Sequence, residues 1–276
     1  MATYKRYRTM NIEIREQIAT IRFIPYEKSL AGPGDDTHWD VGDVLNAIRA
    51  DHSVRIVVMT GDEANFLVAP GNAWFRSDDG VRYMADPDNA WLTFTGVVRT
   101  HMTLAEMEKP VIAKVNGDAI GFGASLALGS DLIVANRDAR ICHMHMAMAE
   151  HEVGPDYGLV PGDGGGALIP LLMSPAKAKE WLMLGPMMTA AELADHRIIN
   201  DAVAREELDA KVDALCDRLL KRSAYALAWT KRIANRHVVQ QLNMTLDAGV
   251  GYEMVCGLQY ERAGRKNKFS LQTPAE

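Results

Sequence analysis

The spacing of hydrophobic and polar positions predicts a chain that opens with strands and then alternates helices with strands. Two short alternating runs within residues 10–25 favour a β-hairpin or two adjacent strands. Apolar residues recur at helical spacing from Trp39 to Ile48, and Val54–Gly61 is a β-branched run typical of a buried strand. The order of a helix followed by a strand recurs twice, over 90–107 with 109–117 and over 121–129 with 131–136. This alternation predicts an α/β core with largely parallel pairing.

Strong helix formers dominate the chain beyond about residue 161, where only 198–204 has the pattern of a strand. The predicted helices of this part cover residues 175–184, 189–197, 205–222 and 224–237. We therefore expect an α/β core over residues 1–200 and a C-terminal helical region over residues 201–276. No internal repeat is present, and no linker rich in Gly, Ser or Pro separates the two regions.

Composition narrows the possible partners of the chain. With 48% hydrophobic and 24% charged residues among 276, it is typical of a globular protein. The formal net charge of −6 provides no basic surface for phosphates, so we expect no nucleic-acid partner. No run reaches the roughly 18 apolar residues of a membrane helix, and charges interrupt the N-terminal segment, so we expect no membrane partner. Three separated cysteines without a C-x-x-C pair predict no disulfide framework and fit a cytoplasmic location.

The segment Asn116–Asp131 places closely spaced glycines where a buried strand runs into a helix. Gly121 and Gly123 would let the backbone approach a ligand, and the first turn of a helix presents unpaired N–H groups that suit an oxyanion or a phosphate. Close packing of the helix against a strand is the alternative explanation of both glycines. The G-x-G-x-x-G spacing and a Walker-type sequence are absent, so the segment does not predict a nucleotide site.

A second glycine-centred loop, over residues 65–75, follows the predicted strand Val54–Gly61. Loops after parallel strands are where α/β folds carry their sites. We predict that the backbone N–H groups of Asn72 in this loop and of Phe122 in the first motif converge on one carbonyl oxygen. Two converging amides form an oxyanion hole.

Several segments in the same order carry a family resemblance: Ile56–Gly61, Phe66–Trp74, Lys109–Gly117 with Gly121–Gly123, Ser130–Ala135, Gly158–Gly165 and Leu184–Ala194. Together they resemble the crotonase (enoyl-CoA hydratase/isomerase) superfamily over roughly residues 10–255. The resemblance implies a crotonase-like ββα spiral core with a C-terminal helical region, assembled as a homotrimer or homohexamer. It also implies that Asn72 and Phe122 stabilise a thioester enolate, with coenzyme A as part of the substrate and with no separate cofactor or metal.

The chain departs from this family at the two glutamates that handle water in the hydratases. Those positions correspond to Ser125 and to the vicinity of Gly154, so the first carboxylate is absent and the second is not in its place. Glu152 replaces the second one only if an insertion between residues 141 and 158 shifts the register. We therefore do not expect a simple two-glutamate hydratase.

The polar positions are more similar to another branch of the superfamily, that of 6-oxocamphor hydrolase, which cleaves a C–C bond of a β-diketone without coenzyme A. Asp163, His38 and Glu253 lie in segments that match this branch. Asp163 also lies where the aryl-CoA dehalogenases of the superfamily carry their nucleophilic aspartate. The resemblance therefore implies acid-base chemistry centred on Asp163, with help from His38 and Glu253.

Histidines complete the comparison with the diketone hydrolase branch. That branch has one histidine at the position of Phe122, which is lost here, and another shortly before the Gly-x-Val-Pro segment. His151, His145 and His143 are the candidates for the second. An imidazole accepts a proton near neutral pH, and a neighbouring carboxylate orients it. A carboxylate desolvated as we expect for Asp163 has a raised pKa and acts as an acid or base itself.

Each candidate also has a structural explanation. Asp163 lies at an apparent helix start, where a capping aspartate is common. His38 has the alternatives of facing solvent or capping the helix that follows, and Glu253 that of a surface or intersubunit residue. His143 and His145 alternate with methionines, which resembles a soft-metal tract, but a strand with one polar face explains the pattern and we expect no metal.

The sequence leaves three functions open, and the first of them is the one that we expect. The first is hydration, isomerisation or hydrolysis of an acyl-CoA thioester through an enolate held in the oxyanion hole. The second is hydrolysis of the C–C bond of a β-diketone without coenzyme A. The third is a member of the superfamily that has lost its chemistry and acts as a binding or assembly protein, which the missing glutamates motivate.

Overall fold

The structure is a computed structural model that describes residues 4, 6–25, 36–62, 64–69, 86–148, 150–151 and 158–262. The strands are β1 (Met10–Arg15), β2 (Ile18–Phe23), β3 (Ile56–Thr60), β4 (Leu67–Ala69), β5 (Val111–Val115), β6 (Ala119–Gly121), β7 (Leu132–Asn136), β8 (Arg140–Cys142), β9 (Met188–Thr189) and β10 (Asp201–Val203). The helices are α1 (Thr37–Ala50), α2 (Pro87–Glu106), α3 (Phe122–Leu128), α4 (Gly165–Leu172), α5 (Pro175–Leu184), α6 (Ala190–Asp195), α7 (Leu208–Leu220), α8 (Ala224–Ala234) and α9 (Arg236–Arg262).

Six strands form the main sheet in the order β1-β2-β3-β5-β7-β10. Strands β1 and β2 are antiparallel, and Glu16 and Gln17 join them with φ angles of 47° and 69°, the left-handed conformation that a tight type I′ hairpin turn requires. The remaining pairs of this sheet are parallel. The predicted hairpin and the largely parallel α/β core are both confirmed.

Strand β3 shows why the strands of the main sheet appear in the sequence as continuous apolar runs. Its residues Val57 and Met59 belong to the large core that contains the apolar faces of α1 and α2, whereas Ile56 and Val58 pack with Leu208 and other residues of α7. Because helices cover both faces of the sheet, every residue of β3 is buried.

A second sheet, in the order β4-β6-β8-β9, supports the start of α3. No strand in it exceeds three residues, which is too short to give a periodic signal, and the sequence did not predict it. Gly121 at the end of β6 has φ 61°. A Cβ at Gly123 would lie 1.9 Å from the carbonyl oxygen of Leu67 in β4. Close packing therefore explains Gly123, and a positive φ that side chains rarely adopt explains Gly121.

The helical predictions hold with corrections at their ends. The predicted helix over 205–222 begins with a separate 3₁₀ turn, Arg205–Glu207, before α7. The predicted helix over 224–237 ends at Ala234, because Asn235 leaves the helix and its Nδ2 donates to the carbonyl oxygen of Ala105, 3.0 Å away. Strand β10 is shorter than the predicted 198–204. Among the helices in the described part of the chain, none is long and apolar enough to cross a membrane.

A buried ion pair fastens α8 to the main sheet. The Nζ of Lys231 lies 2.6 Å from Oδ2 of Asp131 and also donates to the carbonyl oxygen of Lys109 at 3.0 Å. Asp131 in turn accepts from the backbone N–H of Val111 at 2.7 Å, at the first residue of β5. Burial lowers the pKa of Lys231 and raises the pKa of Asp131, so each charge depends on the other to stay ionised.

Replacing Lys231 by Met should destabilise the protein by about 3–5 kcal/mol, because it leaves the Asp131 carboxylate without its cation in a buried place. The control is Lys177→Met, which removes the exposed Lys177–Glu180 pair and should cost at most about 1 kcal/mol. Urea denaturation measures both free energies of unfolding. Equal losses in the two variants would contradict the anchoring role of Lys231.

Candidate active site

The N-terminus of α3 is surrounded by aromatic rings. Phe122 is the first residue of the helix, so its backbone N–H has no intrahelical acceptor. Its buried ring lies with its centroid 4.3 Å from that of His38 and 6.0 Å from that of His101. The second predicted oxyanion donor, Asn72, lies outside the described residues, so the convergence of the two amides stays a prediction.

Asp163 forms the centre of a buried polar cluster. Ser125, in the first turns of α3, donates from Oγ to Oδ1 of Asp163 at 3.1 Å. The Nε2 of His145 lies 3.3 Å from Oδ2, and the Nδ1 of His143 lies 3.6 Å from Oδ1. The N-cap of α4 is Gly164, with no side-chain cap, so the alternative of a capping aspartate is wrong. The carboxylate points into the protein instead.

Glu253 brings a second carboxylate to the same place from α9. Its Oε1 lies 3.7 Å from the Nε2 of His145, and its side chain is 14% exposed. A Cβ at Gly162 would lie 2.6 Å from Oε2 of Glu253, so only glycine leaves room for this approach. The alternative of an exposed surface residue is therefore wrong for Glu253 in this chain.

His143 and His145 do not lie on the polar face of a strand, which corrects that expectation. Strand β8 ends at Cys142, and a 3₁₀ turn over Met144–Met146 follows it. Both imidazoles are buried, with ring centroids 6.0 Å apart. The change from strand to turn allows both rings to reach Asp163. A continued strand with one polar face would instead place both histidines on a solvated face.

Three of these side chains are arranged so that they could hold a metal ion. The nitrogens of His143 and His145 and a carboxylate oxygen of Asp163 all lie within 4.8 Å of one another. Imidazole and carboxylate are ligands that transition metals accept. The sequence-based expectation of no metal stays a prediction.

Burial and neighbouring charges shift the pKa values of the groups in this cluster in different directions. Burial opposes the charge of Asp163, but His145, with smaller contributions from His143 and His38, holds its pKa well below the usual range. Burial likewise opposes the charge of His145, yet Asp163 and Glu253 raise its pKa to about 9. Burial raises the pKa of Glu253 to about 7. The prediction that Asp163 has a raised pKa is therefore wrong. The carboxylate with the raised pKa is that of Glu253.

His38 lies at the start of α1 and belongs to the same site. Its side chain is 10% exposed, and the helix is capped by Asp36, whose side chain accepts from the backbone N–H of His38 at 2.9 Å. Both alternatives for His38, a solvent-facing residue and a helix cap, are therefore wrong. Charge interactions with Asp163 and Glu253 connect it to the central cluster.

The sequence analysis missed Asp36 and His101. His101 lies on the buried face of α2, and its Nδ1 donates to the carbonyl oxygen of Val97, 2.9 Å away. Its buried Nε2 has no hydrogen-bond partner among the described residues. A Cβ at Gly164 would lie 2.3 Å from this Nε2. Burial lowers the pKa of His101. Its helical spacing matches a core position, so no sequence signal separates it from packing residues.

Two other predicted site residues are not brought to Asp163 by the described structure. The Nε2 of His151 lies 2.7 Å from the carbonyl oxygen of Gly185, an interaction that holds the segment after the 3₁₀ turn. Glu152 lies outside the described residues. Of the three histidines considered before the Gly-x-Val-Pro segment, the structure brings His143 and His145 to the carboxylate.

Comparison with known proteins identifies the family. The family model described as enoyl-CoA hydratase/isomerase matches residues 34–256. The chain belongs to this family. Its relatives include a crotonyl-CoA hydratase from Syntrophomonas wolfei, 29% identical over 83% of this chain and 82% of that protein. A carnitinyl-CoA dehydratase from Proteus mirabilis is 31% identical over 71% of this chain and 69% of that protein.

Solved structures confirm the crotonase fold of this family. An enoyl-CoA hydratase/isomerase from Mycobacterium paratuberculosis superposes with a TM-score of 0.79 at 24% identity, covering 92% of this chain and 96% of that one. A beta-diketone hydrolase from Anabaena sp. PCC 7120, bound to (S)-3-oxocyclohexyl acetic acid, has a TM-score of 0.78 at 22% identity, with 92% and 96% covered. At these identities the likeness shows the fold.

The His145–Asp163 pair predicts a pH dependence of stability. His145 has a folded pKa of about 9 against an ordinary value of 6.5, so its contribution is fully present below pH 6.5 and is lost as the pH rises to about 9. In Asp163→Asn this contribution disappears. The difference in Tm between wild type and variant should therefore be larger near pH 6 than near pH 9.5. A difference that stays constant over that range, measured by thermal melting, would exclude a stabilising ion pair.

Proposed function

We propose that this chain is a hydrolase that cleaves the C–C bond of a β-diketone with water and without coenzyme A. The observation that carries the proposal is the contact of His145 with both Asp163 and Glu253 beside the N-terminus of α3. Such a histidine, held by carboxylates on one ring nitrogen, is suited to take a proton from water with the other.

The proposal uses the neutral form of His145, which becomes populated as the pH approaches its pKa of about 9. In that form Nε2 donates to Asp163, which leaves Nδ1 as the proton acceptor. Nδ1 is buried and has no hydrogen-bond partner among the described residues. The attacking water loses one proton to Nδ1 as its oxygen bonds to a substrate carbonyl carbon. The imidazolium formed is stabilised by Asp163, whose carboxylate stays ionised because its pKa is held low.

The backbone N–H of Phe122 is the proposed donor to the oxygen that becomes negative. When the C–C bond breaks, its electron pair remains on the α-carbon as an enolate, and the attacked carbonyl becomes a carboxylic acid. We assign the proton that the α-carbon then needs to the imidazolium form of His38, whose ring lies against Phe122. The proton held by His145 returns through solvent, so one diketone and one water give one keto acid.

Hydration of an acyl-CoA thioester is the second candidate, because the curated relatives at 29% and 31% identity are a crotonyl-CoA hydratase and a carnitinyl-CoA dehydratase. Against it, Ser125 occupies the place of one hydratase glutamate and serves as a hydrogen-bond donor to Asp163. A hydroxyl cannot replace a carboxylate that activates water at neutral pH. The arrangement therefore favours the diketone reaction.

Purified wild-type protein should hydrolyse a cyclic β-diketone, and Asp163→Asn should lower kcat by about 10²- to 10⁴-fold because His145 loses the anion that stabilises its charged form. The control is Asp195→Asn, which changes an exposed aspartate at the end of α6 and should leave kcat unchanged. Loss of substrate is followed by absorbance and the keto acid product by mass spectrometry.

The alternatives give different results in the same assays. Turnover of crotonyl-CoA without turnover of diketones would reject the proposal in favour of hydration. A protein that binds a diketone or a thioester, raises its Tm on binding and converts neither would be a binding protein. Asp163→Asn with wild-type kcat on a diketone would show that the His145–Asp163 pair does not activate the water.

A further inference from the structure

Three hydrogen bonds from His38 and Thr93 hold the carboxylate of Asp36 at the start of α1. Its Oδ1 accepts from the backbone N–H of His38 and from the Nδ1 of the same residue, both at 2.9 Å. Thr93, which lies on α2, donates from Oγ1 to Oδ2. Asp36 therefore caps α1 and accepts a hydrogen bond from α2. The oxygen that forms the cap also contacts the imidazole of His38.

The ring of His38 is held from two sides. Asp36 binds its Nδ1, and the ring of Phe122 packs against its face at a centroid distance of 4.3 Å. Since Nδ1 is committed to Asp36, Nε2 is the ring atom that remains for a substrate. The same residue, Phe122, supplies both the surface for this ring and the proposed oxyanion N–H, so the position of His38 is tied to that of the reacting carbonyl.

We propose that Asp36 is a positioning residue that holds His38, through Nδ1, as the proton donor to the enolate carbon. This inference rests on the proposed β-diketone hydrolysis and extends it to a second histidine–carboxylate pair, His38 with Asp36. In the reaction the Nε2–H bond of His38 breaks as the new C–H bond forms, and solvent returns the proton to Nε2.

Among the described residues, four titratable groups on different elements surround His38. Burial opposes the charge of the imidazolium, and Asp36 is the largest influence that raises its pKa, followed by Asp163 and Glu253. His101 faces it from α2, and burial keeps the pKa of His101 low, so this neighbour is neutral. Asp36 is thus the group on which the charged form of His38 depends most.

Replacing Asp36 by Asn separates its role as the N-cap of α1 from its role as the negative charge beside His38. Asparagine is as good an N-cap as aspartate, so α1 should be retained, but the negative charge at Nδ1 of His38 is lost. Asp86 provides a matched control, because it caps α2 by accepting from the backbone N–H of Asp88 at 2.9 Å and that residue is not a histidine. Asp86→Asn removes a capping charge without touching the site.

In Asp36→Asn the NMR titration midpoint of His38 should move to lower pH, and kcat on a β-diketone should fall by up to roughly the 10²- to 10⁴-fold that a general acid contributes, with a smaller change in KM. The His38 signal is identified by its loss in His38→Gln. Asp86→Asn should retain the wild-type midpoint and kcat. Thr93→Val, which removes one hydrogen bond to the carboxylate but keeps the cap, should give a smaller shift in the same direction because the carboxylate is held less firmly against Nδ1. This variant serves as the test if Asp36→Asn does not fold.

An unchanged titration of His38 in Asp36→Asn, or in Thr93→Val where the first variant does not fold, would overturn the positioning role. An unchanged kcat together with a shifted midpoint would also overturn it, because the pair would then be structural only. If the wild type converts thioesters and not diketones, the proposed function fails, but the NMR titration still decides whether Asp36 controls His38, and the same variants are then compared on the thioester.

Discussion

The structure depends on keeping the carboxylate of Asp163 ionised inside the protein. Removing a carboxylate from water costs several kcal/mol unless cations and hydrogen-bond donors surround it. Here His145 supplies the positive charge, and Ser125 supplies a hydrogen bond from the neighbouring helix. These partners come from two separate elements, the start of α3 and the turn after β8, and the loop before α4 carries Asp163 itself. The second sheet is needed for this arrangement because β6 and β8 pair side by side and thereby bring α3 and the turn to the same end.

The glycines around Asp163 permit this crowding. A Cβ at Gly162 would meet Glu253, one at Gly164 would meet His101, and one at Gly165 would lie 2.4 Å from the Nδ1 of His143. Each glycine therefore makes room for one titratable side chain, and Gly164 in addition has φ 118°, which side chains rarely adopt. The Pro-Gly-Asp-Gly-Gly sequence has a different purpose from a phosphate-binding loop: it lets imidazoles and a carboxylate approach the backbone beside an ionised aspartate.

The sequence predicted the parts of the molecule that have strong local signals. Apolar runs identified the strands of the main sheet, and the segments shared with the crotonase family placed Asp163, His38 and Glu253 together. It could not select His143 and His145 over His151, because the selection depends on β8 ending at Cys142 and on the 3₁₀ turn that follows. It also missed Asp36, since a capping aspartate has the same local pattern whether or not its side chain also contacts the imidazole of a residue two positions later. Contacts between distant elements, such as Thr93 with Asp36, leave no pattern within one window of sequence.

Ser125 contributes to the electrostatics of the site through its hydrogen bond to Asp163. Its Oγ lies 3.1 Å from Oδ1 of Asp163, so a glutamate at this position would put a second negative charge against the first. Two carboxylates at that distance cannot both stay ionised, and one of their pKa values would be strongly raised. A neutral hydroxyl that donates a hydrogen bond favours the ionised form of Asp163 instead, and through it the cationic form of His145. The serine and the histidine–aspartate pair are therefore parts of one arrangement, in which a hydroxyl rather than a carboxylate on α3 permits an ionised aspartate one hydrogen bond away.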